Sequence, residues 1–331
     1  MPQEKQFSAA VLQLDAAKET DRIVAALRDQ VRGTLRRKGL VIGLSGGIDS
    51  SVCCALAVRA LGPNYVLGLF MPESDSASDT LGLSRLIADH LGIETVLEYI
   101  TPTLQAAGCY QRRDEFIRSV IPEYRTGYRS KIIFPSVLDG QGYRIFRLVV
   151  EAPDGTRTTT RLTLDAYLGI VAATNFKQRI RKMMEYYHAD RLNYAVLGTP
   201  NRLEFDQGFF VKNGDGAADV KPIAHLYKSQ VYQLAEYLDL PAAIRTRPPT
   251  TDTYSLAQSQ EEFYFSLPYR PMDICLYAKN HDIPAAEAAA AAGITPAQAE
   301  NVYRDIDAKR AATAYGHRKP LLIEEIPQIP R

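Results

Sequence analysis

Long hydrophobic runs are absent from the sequence: no uninterrupted apolar stretch approaches the roughly twenty residues that a membrane-spanning helix needs. The N-terminus, MPQEKQFSAAVLQLDAAKE, is charged from its fourth residue, which is atypical of a signal peptide. Charge of one sign is also lacking, because 39 Lys and Arg face 38 Asp and Glu. With a net charge of +1, no global field draws the protein to nucleic acid or to a membrane surface. We therefore expect a cytoplasmic protein without either partner.

Cysteine is scarce, with four residues in 331. Cys53 and Cys54 are adjacent, and Cys109 and Cys275 lie far from them. This spacing fits neither a CxxC metal site nor a disulfide framework. The sequence predicts four buried, reduced thiols.

Strand and helix patterns alternate in the first third of the chain. LVIGLS, YVLGLFM and IETVLEYI are short apolar runs typical of buried parallel strands. VCCALAVRALG and residues 78–91 are typical of the helices between them. This order predicts an α/β fold, a doubly wound, Rossmann-like parallel sheet with helices on both faces and a ligand beyond the carboxyl ends of the strands.

Residues 108–163 interrupt the alternation. Their second half is β-rich, and Asp154-Gly155 separates two alternating runs, as in a hairpin. We interpret the segment as a partly β insertion. Its basic residues leave two interpretations open, a solvated surface or a contact with ligand.

The α/β pattern resumes at residue 165 with a long helix, then the strand LNYAVLGT and the helix KSQVYQLAEYLDL. Residues 283–331 form a predicted helical C-terminal tail, with a break at Gly293 and a restart at Thr295-Pro296. With 46% hydrophobic residues, the chain can bury a large core. We expect one elaborated domain over residues 1–331.

The loop GLSGGIDSSV, residues 43–52, joins the first strand to the first helix of the sheet. Glycines at such a turn let the backbone approach an anion, and the helix dipole favours one. GxxxxGK[ST] and GxGxxG are both missing, which excludes the commoner phosphate loops. Asp49 is repulsive beside phosphates unless a cation lies between, so the loop predicts phosphate together with Mg²⁺.

Ser45-Gly46-Gly47-Ile48-Asp49-Ser50-Ser51 resembles the SGGxDS loop of the N-type ATP pyrophosphatases. In that superfamily the loop holds the pyrophosphate that leaves when ATP adenylates a substrate. The resemblance implies that ATP is bound by residues of this loop together with residues of the second half of the chain: Gly43, Ser45, Gly46, Gly47, Asp49, Ser50, Ser51, Thr199, Lys228 and Thr250.

The second half resembles the NAD synthetase family. LGTPNRLEFDQGFFVKNGDG at 197–216, DVKPIAHLYKSQ at 219–230 and the helix carrying Asn175, Arg179, Arg181 and Met183 match its ordered motifs, and PTTD at 249–252 resembles its PTAD segment. The resemblance implies Asp215, Lys228 and Lys212 as catalytic residues. It also implies a substrate site built from Asn175, Arg179, Phe210, Lys212, Asp219, His317 and Arg318.

The residues themselves support part of this assignment. Asp49 and Glu204 follow strands of one sheet, so both carboxylates fit a shared Mg²⁺ ion. Lys212 and Lys228 have the charge to neutralise phosphates. Asp215 stands between two glycines, where it either forms the turn or faces substrate and ammonia.

The implied reaction is adenylation of the nicotinate carboxylate of deamido-NAD by ATP, followed by attack of ammonia. The chain has no room for the amidase domain of glutamine-dependent members, so we expect free ammonia or a separate glutaminase. The family resemblance implies a homodimer. The insertion, LGIVAATN and TTDTYSLAQSQEEF depart from the family pattern, which leaves an alternative open: a related ligase that amidates another carboxylate.

Overall fold

A four-stranded parallel sheet forms the centre of the fold. The computed structural model describes residues 7–134, 146–250 and 253–329. The strands within these ranges are β1 (Leu40–Gly43), β2 (Val66–Phe70), β3 (Glu94–Leu97), β4 (Arg129–Ile133), β5 (Arg147–Glu151), β6 (Arg157–Arg161) and β7 (Ala195–Val196). The helices are α1 (Ala16–Arg28), α2 (Ile48–Leu61), α3 (Thr80–Leu91), α4 (Thr101–Ala106), α5 (Cys109–Arg118), α6 (Leu164–Leu192), α7 (Arg202–Gln207), α8 (Lys228–Tyr237), α9 (Ala242–Arg245), α10 (Tyr269–Asn280), α11 (Ala285–Ala292) and α12 (Pro296–His317).

The strand order of the parallel sheet is β3-β2-β1-β7. Successive strands step outward from β1 to β3, and the chain then returns to the opposite side of β1 to form β7. The predicted doubly wound sheet is confirmed. Since the loops after β1 and β7 leave in opposite directions, a crevice opens between them at the carboxyl edge, where ligands bind in such folds.

Side chains of β1 alternate between two hydrophobic cores. Leu40 and Ile42 pack with α2 in one core, and Val41 packs with residues of α4 and α6 in the other. All three are buried because helices cover both faces. This explains why the strand is a continuous apolar run instead of an alternating one.

The insertion contains a separate three-stranded antiparallel sheet in the order β4-β5-β6. The hairpin predicted at Asp154-Gly155 connects β5 to β6, and Gly155 takes the positive φ of 86° that this turn requires. Glu151 lies directly opposite Arg129 on one side and Arg157 on the other, and pairs with both. Residues 135–145 of the insertion lie outside the described ranges.

The C-terminal tail has the predicted break. Gly293 ends α11 in the left-handed conformation, and Thr295 begins α12 with a capping box that includes Gln298. α12 ends at His317, so the expectation of a helix through the end of the chain is wrong for residues 318–329. The basic residues Arg318 and Lys319 before Pro320 begin this non-helical stretch. Residues 330–331 lie outside the described ranges.

The four cysteines are buried and free, as predicted. Burial raises the pKa of the Cys54 thiol to about 12, so this thiol stays protonated and inert at neutral pH. No helix within the described ranges is both long and apolar enough to cross a bilayer.

A buried ion network ties the loop after β2 to α5 and α6. Lys177 of α6 is fully buried, and its ammonium donates to Glu73 at 2.9 Å and to Asp75 at 2.6 Å. Arg113 also pairs with Asp75 at 2.6 Å, and Tyr110 donates to Glu73 at 2.7 Å. Burial of charged groups is tolerated only when they are paired and hydrogen-bonded in this way.

We expect Lys177→Met to lower the free energy of unfolding by about 3–5 kcal/mol, since two carboxylates would lose a buried countercharge. Urea denaturation followed by circular dichroism measures the change. The matched control is Lys279→Met, which removes an exposed pair with Asp307 and should cost less than about 1 kcal/mol. Equal losses in the two variants would contradict this account of the network.

Candidate active site

The loop after β1 places its glycines against α3 and at the start of α2. Gly46 has a positive φ of 66°, and a Cβ there would lie 2.6 Å from Cβ of Leu83. Gly47 is the N-cap of α2. A glycine cap has no side chain to cover the first amides of the helix, so they stay open to an anion.

The three serines of the loop divide into two roles. Ser45 and Ser50 line a cavity of about 910 Å³ at the carboxyl edge of the sheet, and their hydroxyl oxygens lie 3.3 Å apart. Ser51 is buried beneath the loop, and its hydroxyl donates to the Gly47 carbonyl at 2.8 Å. Neither Ser51 nor Gly46 lines the cavity. The ATP contact that the resemblance implies for Gly46 and Ser51 stays a prediction.

Asn201 brings the two predicted metal ligands together. Its side-chain amide donates to Asp49 Oδ1 at 3.0 Å, and its backbone N–H donates to Glu204 Oε2 at 3.0 Å. The Asn201 side chain also caps α7 by accepting from the amides of Leu203 and Glu204. This capping box fixes Glu204 beside the loop of the neighbouring strand.

Lys228 is the cation of this group. It is only 2% exposed, and its ammonium pairs with Asp49 Oδ2. It begins α8, where the carboxylate of Asp273 accepts from the amides of Lys228 at 3.2 Å and Ser229 at 2.7 Å. Asp273 thus caps α8 from a distant helix and fixes where the Lys228 side chain starts.

Two carboxylates and one ammonium meet at this corner. Burial, followed by the nearby Asp49 charge, raises the pKa of the Glu204 carboxyl above its usual range, and Lys228 opposes that shift only in part. In the described ranges no three His, Cys, Asp or Glu side chains converge as a ready metal cage. The donors fit a hard divalent cation that takes its remaining ligands from phosphate oxygens and water.

Asp215 fits both interpretations that the sequence left open. Its carboxylate accepts from the Val211 amide at 2.8 Å, so it forms the turn. It also lines the cavity, and burial raises the pKa of its carboxyl. The raised pKa makes this carboxylate a stronger base than an exposed aspartate.

A second buried ion pair lines the cavity next to the last residue of β1. Lys182 donates to Glu185 at 2.6 Å, and both side chains are less than 10% exposed. A Cβ on Gly43 would lie 2.9 Å from Glu185 Oε1, so only glycine fits at the end of β1. The sequence analysis missed this pair, because a lysine and a glutamate three residues apart on a long helix give no sign that they face inward.

Arg247 contacts the loop after β1, and Gln260 contacts the Glu204 carboxylate. Arg247 donates to the Ser45 carbonyl at 3.2 Å and to Asp79 at 3.0 Å. Gln260 donates to Glu204 Oε1 at 3.0 Å. Thr250 lines the cavity, as does Thr199 after β7, whereas Thr251 and Asp252 lie outside the described ranges. Neither Arg247 nor Gln260 was predicted.

Five of the residues predicted for catalysis or substrate binding do not line the cavity. Lys212 donates instead to the carbonyls of Tyr315 at 2.9 Å and Arg318 at 3.4 Å. Asp219 accepts from the Val196 amide at 2.7 Å, so its carboxylate binds the backbone of β7. The residues concerned are Lys212, Arg179, Asp219, His317 and Arg318.

The remaining substrate residues of the prediction do reach the cavity. Asn175 lines it from α6, and Phe210 lines it beside Asp215. The His317 ring packs edge-on against Phe210, with ring centroids 4.9 Å apart, so the tail supports the wall from behind. The cavity therefore unites the loop, both carboxylates, Lys228 and Asp215.

A family model described as NAD synthase matches residues 19–120 and 153–313. The chain belongs to the NAD synthase family. It is 62% identical to the NH(3)-dependent NAD(+) synthetase of Rhizobium meliloti over 98% of this chain and 96% of that protein. It is also 62% identical to the enzyme of the same name from Mesorhizobium japonicum, over 96% of this chain and 99% of the relative.

Solved structures share the fold. An NH3-dependent NAD synthetase from Campylobacter jejuni matches with a TM-score of 0.60 and 22% identity, covering 94% of this chain and all of that one. An NMN synthetase from Francisella tularensis matches with a TM-score of 0.60 and 23% identity, covering 94% and 99%. Residues 121–152, which belong to the insertion, lie between the two matched parts of the family model.

We expect substitutions of the two lysines predicted as catalytic, Lys228 and Lys212, to have different effects on activity. We expect Lys228→Met to lower ATP-dependent pyrophosphate release at least 100-fold, because the phosphates and Asp49 lose a preorganised cation. Lys212→Met should keep the rate within about threefold of the wild type, because Lys212 lies outside the cavity. Steady-state kinetics of both variants, with melting temperatures as a check on folding, measures the difference. A loss in Lys212→Met as large as that in Lys228→Met would restore Lys212 to the site.

Proposed function

We propose that the protein converts deamido-NAD, ATP and ammonia to NAD, AMP and pyrophosphate. The observation that carries the proposal is the convergence of Asp49, Glu204 and Lys228 on one cavity beside a glycine-rich anion loop. The relatives at 62% identity, which are named NH(3)-dependent NAD(+) synthetases, point to the same activity.

In this proposal ATP lies at the crevice between β1 and β7. The open amides at the start of α2 and the hydroxyls of Ser45 and Ser50 bind the leaving pyrophosphate. Thr199 and Thr250 are the remaining polar contacts. No lysine reaches a γ-phosphate in this scheme, because the reaction occurs at the α-phosphorus.

Asp49 and Glu204 would hold Mg²⁺ in the same proposal, because carboxylate oxygens are ligands that this ion takes. The ion supplies charge neutralisation between ATP oxygens and the two carboxylates. Lys228 stabilises the charge that develops on the α-phosphate as the P–O bond to pyrophosphate breaks. The protein residues thus orient ATP and balance charge without forming a covalent intermediate.

The chemistry needs activation because a carboxylate would have to lose oxide to react with ammonia directly. The nicotinate carboxylate attacks the α-phosphorus and forms an acyl-adenylate, while pyrophosphate leaves. Ammonia attacks the acyl carbon, and AMP leaves with the electron pair of the bond between that carbon and the bridging phosphate oxygen. The new amide nitrogen releases one proton to solvent. Asp215, with its raised pKa, accepts a proton from the ammonium that delivers the nucleophile.

The decisive experiment measures pyrophosphate release and NAD formation in parallel, with ATP, Mg²⁺ and ammonium. We expect strong stimulation by deamido-NAD, appearance of NAD in equal amount, and loss of both when EDTA removes Mg²⁺. Glutamine in place of ammonium should be inactive unless a separate glutaminase is added.

Controls identify the carboxylate. Nicotinate mononucleotide replaces deamido-NAD in one control, and ATP without any carboxylate substrate is the other. Pyrophosphate release that does not respond to deamido-NAD would overturn the proposal and favour a ligase for another carboxylate.

The proposal places the protein in the cytoplasm. All four cysteines are free thiols, which agrees with a reducing compartment.

The proposal includes a homodimer. α6 exposes two large apolar side chains four positions apart, with Met183 50% and Tyr187 59% exposed. Apolar side chains next to each other on an exposed helix surface can mark an interaction surface.

Met183→Asp combined with Tyr187→Asp should therefore convert the dimer to a monomer. Size-exclusion chromatography with light scattering gives the mass directly. Tyr99→Asp is the matched control, since Tyr99 is 65% exposed but lies before α4. A wild-type chain that is monomeric at micromolar concentration would contradict the proposal.

A further inference from the structure

A second cavity, of about 500 Å³, lies apart from the active site. It is lined by the N-terminal segment around Leu12 and by residues of α8, α9 and α10. Among the residues that the structure describes, none lines both cavities. The volume is in the range of small-molecule sites in proteins, roughly 300–1,000 Å³. The proposed reaction makes no use of this second cavity.

The walls of the second cavity are held in place by contacts of their own. Tyr232 of α8 and Tyr269 of α10 stack with ring centroids 5.1 Å apart and planes 16° apart. The Gln233 side chain donates to the Leu12 carbonyl at 2.9 Å and accepts from the Leu14 amide at 2.9 Å. These bonds fasten the N-terminal segment to α8, so the cavity is preformed.

Two arginines give the cavity its charge. Arg245 and Arg270 line it together with the Glu236 carboxylate. Across the described part of the chain, neither guanidinium forms an ion pair with a carboxylate. Arg245 Nε donates to the Leu240 carbonyl at 2.8 Å, which fixes the plane of its guanidinium. Guanidinium groups bind phosphate and carboxylate oxygens through parallel N–H donors, so the cavity has the charge and the donors for an oxyanion.

The start of α10 adds to the positive charge of this site. Tyr269 and Arg270 are the first two residues of α10, and both line the cavity. The amino end of a helix carries a partial positive charge that favours a nearby anion. Ser229 and Thr246 add hydroxyl groups to the lining. Two guanidiniums and a helix end suit a dianionic phosphoryl group better than a single carboxylate.

The cavity adjoins Lys228 of the active site. Ser229 lines the cavity and directly follows Lys228, and Tyr232 lies one turn further along the same side of α8. Burial raises the pKa of the Tyr232 hydroxyl to about 12, and the Lys228 charge opposes this rise. Lys228 is therefore within electrostatic range of the cavity wall.

A second link to the active site runs through the end of α9. Arg245 and Thr246 line the cavity, and Arg247 follows them directly. Arg247 donates to the Ser45 carbonyl of the phosphate loop at 3.2 Å. A ligand on Arg245 therefore contacts the same short segment that contacts the loop.

We propose that the second cavity binds a small organic phosphate between Arg245 and Arg270, and that the bound ligand weakens ATP binding. A dianion behind the start of α8 lowers the positive potential that Lys228 offers to the phosphates of ATP. The effect on ATP rests on the proposed function, whereas binding of the phosphate does not.

Isothermal titration calorimetry with ribose 5-phosphate tests the site directly, because this ester carries a phosphoryl group and no base. We expect one ester per chain and no binding of ribose. Arg245→Met and Arg270→Met should each weaken binding about tenfold or more, since each removes a charge-assisted contact. Inorganic phosphate is titrated in parallel, and binding as tight as that of the ester would overturn the assignment to an organic phosphate.

Arg85→Met is the matched control. Arg85 is an exposed residue of α3 that lines neither cavity, and its substitution removes the same charge. Binding of the ester should stay within about twofold of the wild type, as for an exposed charge remote from the ligand. Equal weakening in Arg85→Met and Arg270→Met, or full binding in both cavity variants, would overturn the site.

Pyrophosphate release measures the effect on the active site. With saturating ribose 5-phosphate we expect KM for ATP to rise about fivefold or more and kcat to stay within about twofold. Arg270→Met should have the wild-type KM without ester and lose the response to it. A rise that persists in Arg270→Met would place the ester in the ATP site and overturn the inference.

The remaining outcomes separate the two halves of the inference. An ester that binds through Arg245 and Arg270 without changing KM would overturn the effect on ATP. A wild-type chain that binds the ester but releases no pyrophosphate with deamido-NAD would defeat the proposed function and leave the binding site supported. The two failures are therefore distinguishable.

Discussion

The site depends on one electrostatic arrangement, in which Asp49 and Glu204 share Asn201 and a single buried ammonium, that of Lys228. The three charges come from different parts of the chain: the loop after β1, the turn after β7 and the first residue of α8. Their meeting requires β1 and β7 to be neighbours and α8 to be capped by Asp273. Burial beside Asp49 raises the pKa of the Glu204 carboxyl, so a cation bound at this corner would have to displace a proton from it.

The strand pattern predicted the parallel sheet because buried parallel strands are short, continuous apolar runs, and the loop motif predicted the anion site because only glycines permit the turn at Gly46. Both are local signals. Asn201 and Glu204 also carry a local signal, a capping box directly after the strand, and it shows where Glu204 must point. Arg247 and Gln260 carry none, since each acts through a partner distant in sequence. Lys182 and Glu185 are close in sequence, but nothing in the helix pattern shows that they face inward.

Lys212 and Lys228 show why motif membership does not decide position. Both lie in stretches that resemble the family, and both have the right charge. Lys228 is the first residue of α8. Asp273 accepts a hydrogen bond from its backbone amide, and the Lys228 side chain is buried next to Asp49. Lys212 lies in a turn whose nearest acceptors are carbonyls at the end of α12, and it binds those. The difference arises from packing against the C-terminal helix, which the residues around Lys212 do not encode.

The cavity that contains Asp49, Glu204 and Lys228 is also lined by residues of the insertion. An enzyme that amidates a carboxylate gains little discrimination at the reacting group itself, because the mononucleotide and the dinucleotide are identical there. Discrimination has to come from contacts at a distance, and binding energy from the non-reacting end of a substrate also positions the reacting end. One helix, α6, carries both the Lys182–Glu185 pair near Gly43 and Tyr167 beside the insertion. The helix therefore holds contacts at these two places a fixed distance apart. The three-stranded sheet of the insertion places Phe146 on Tyr167 in the same cavity, away from the loop after β1.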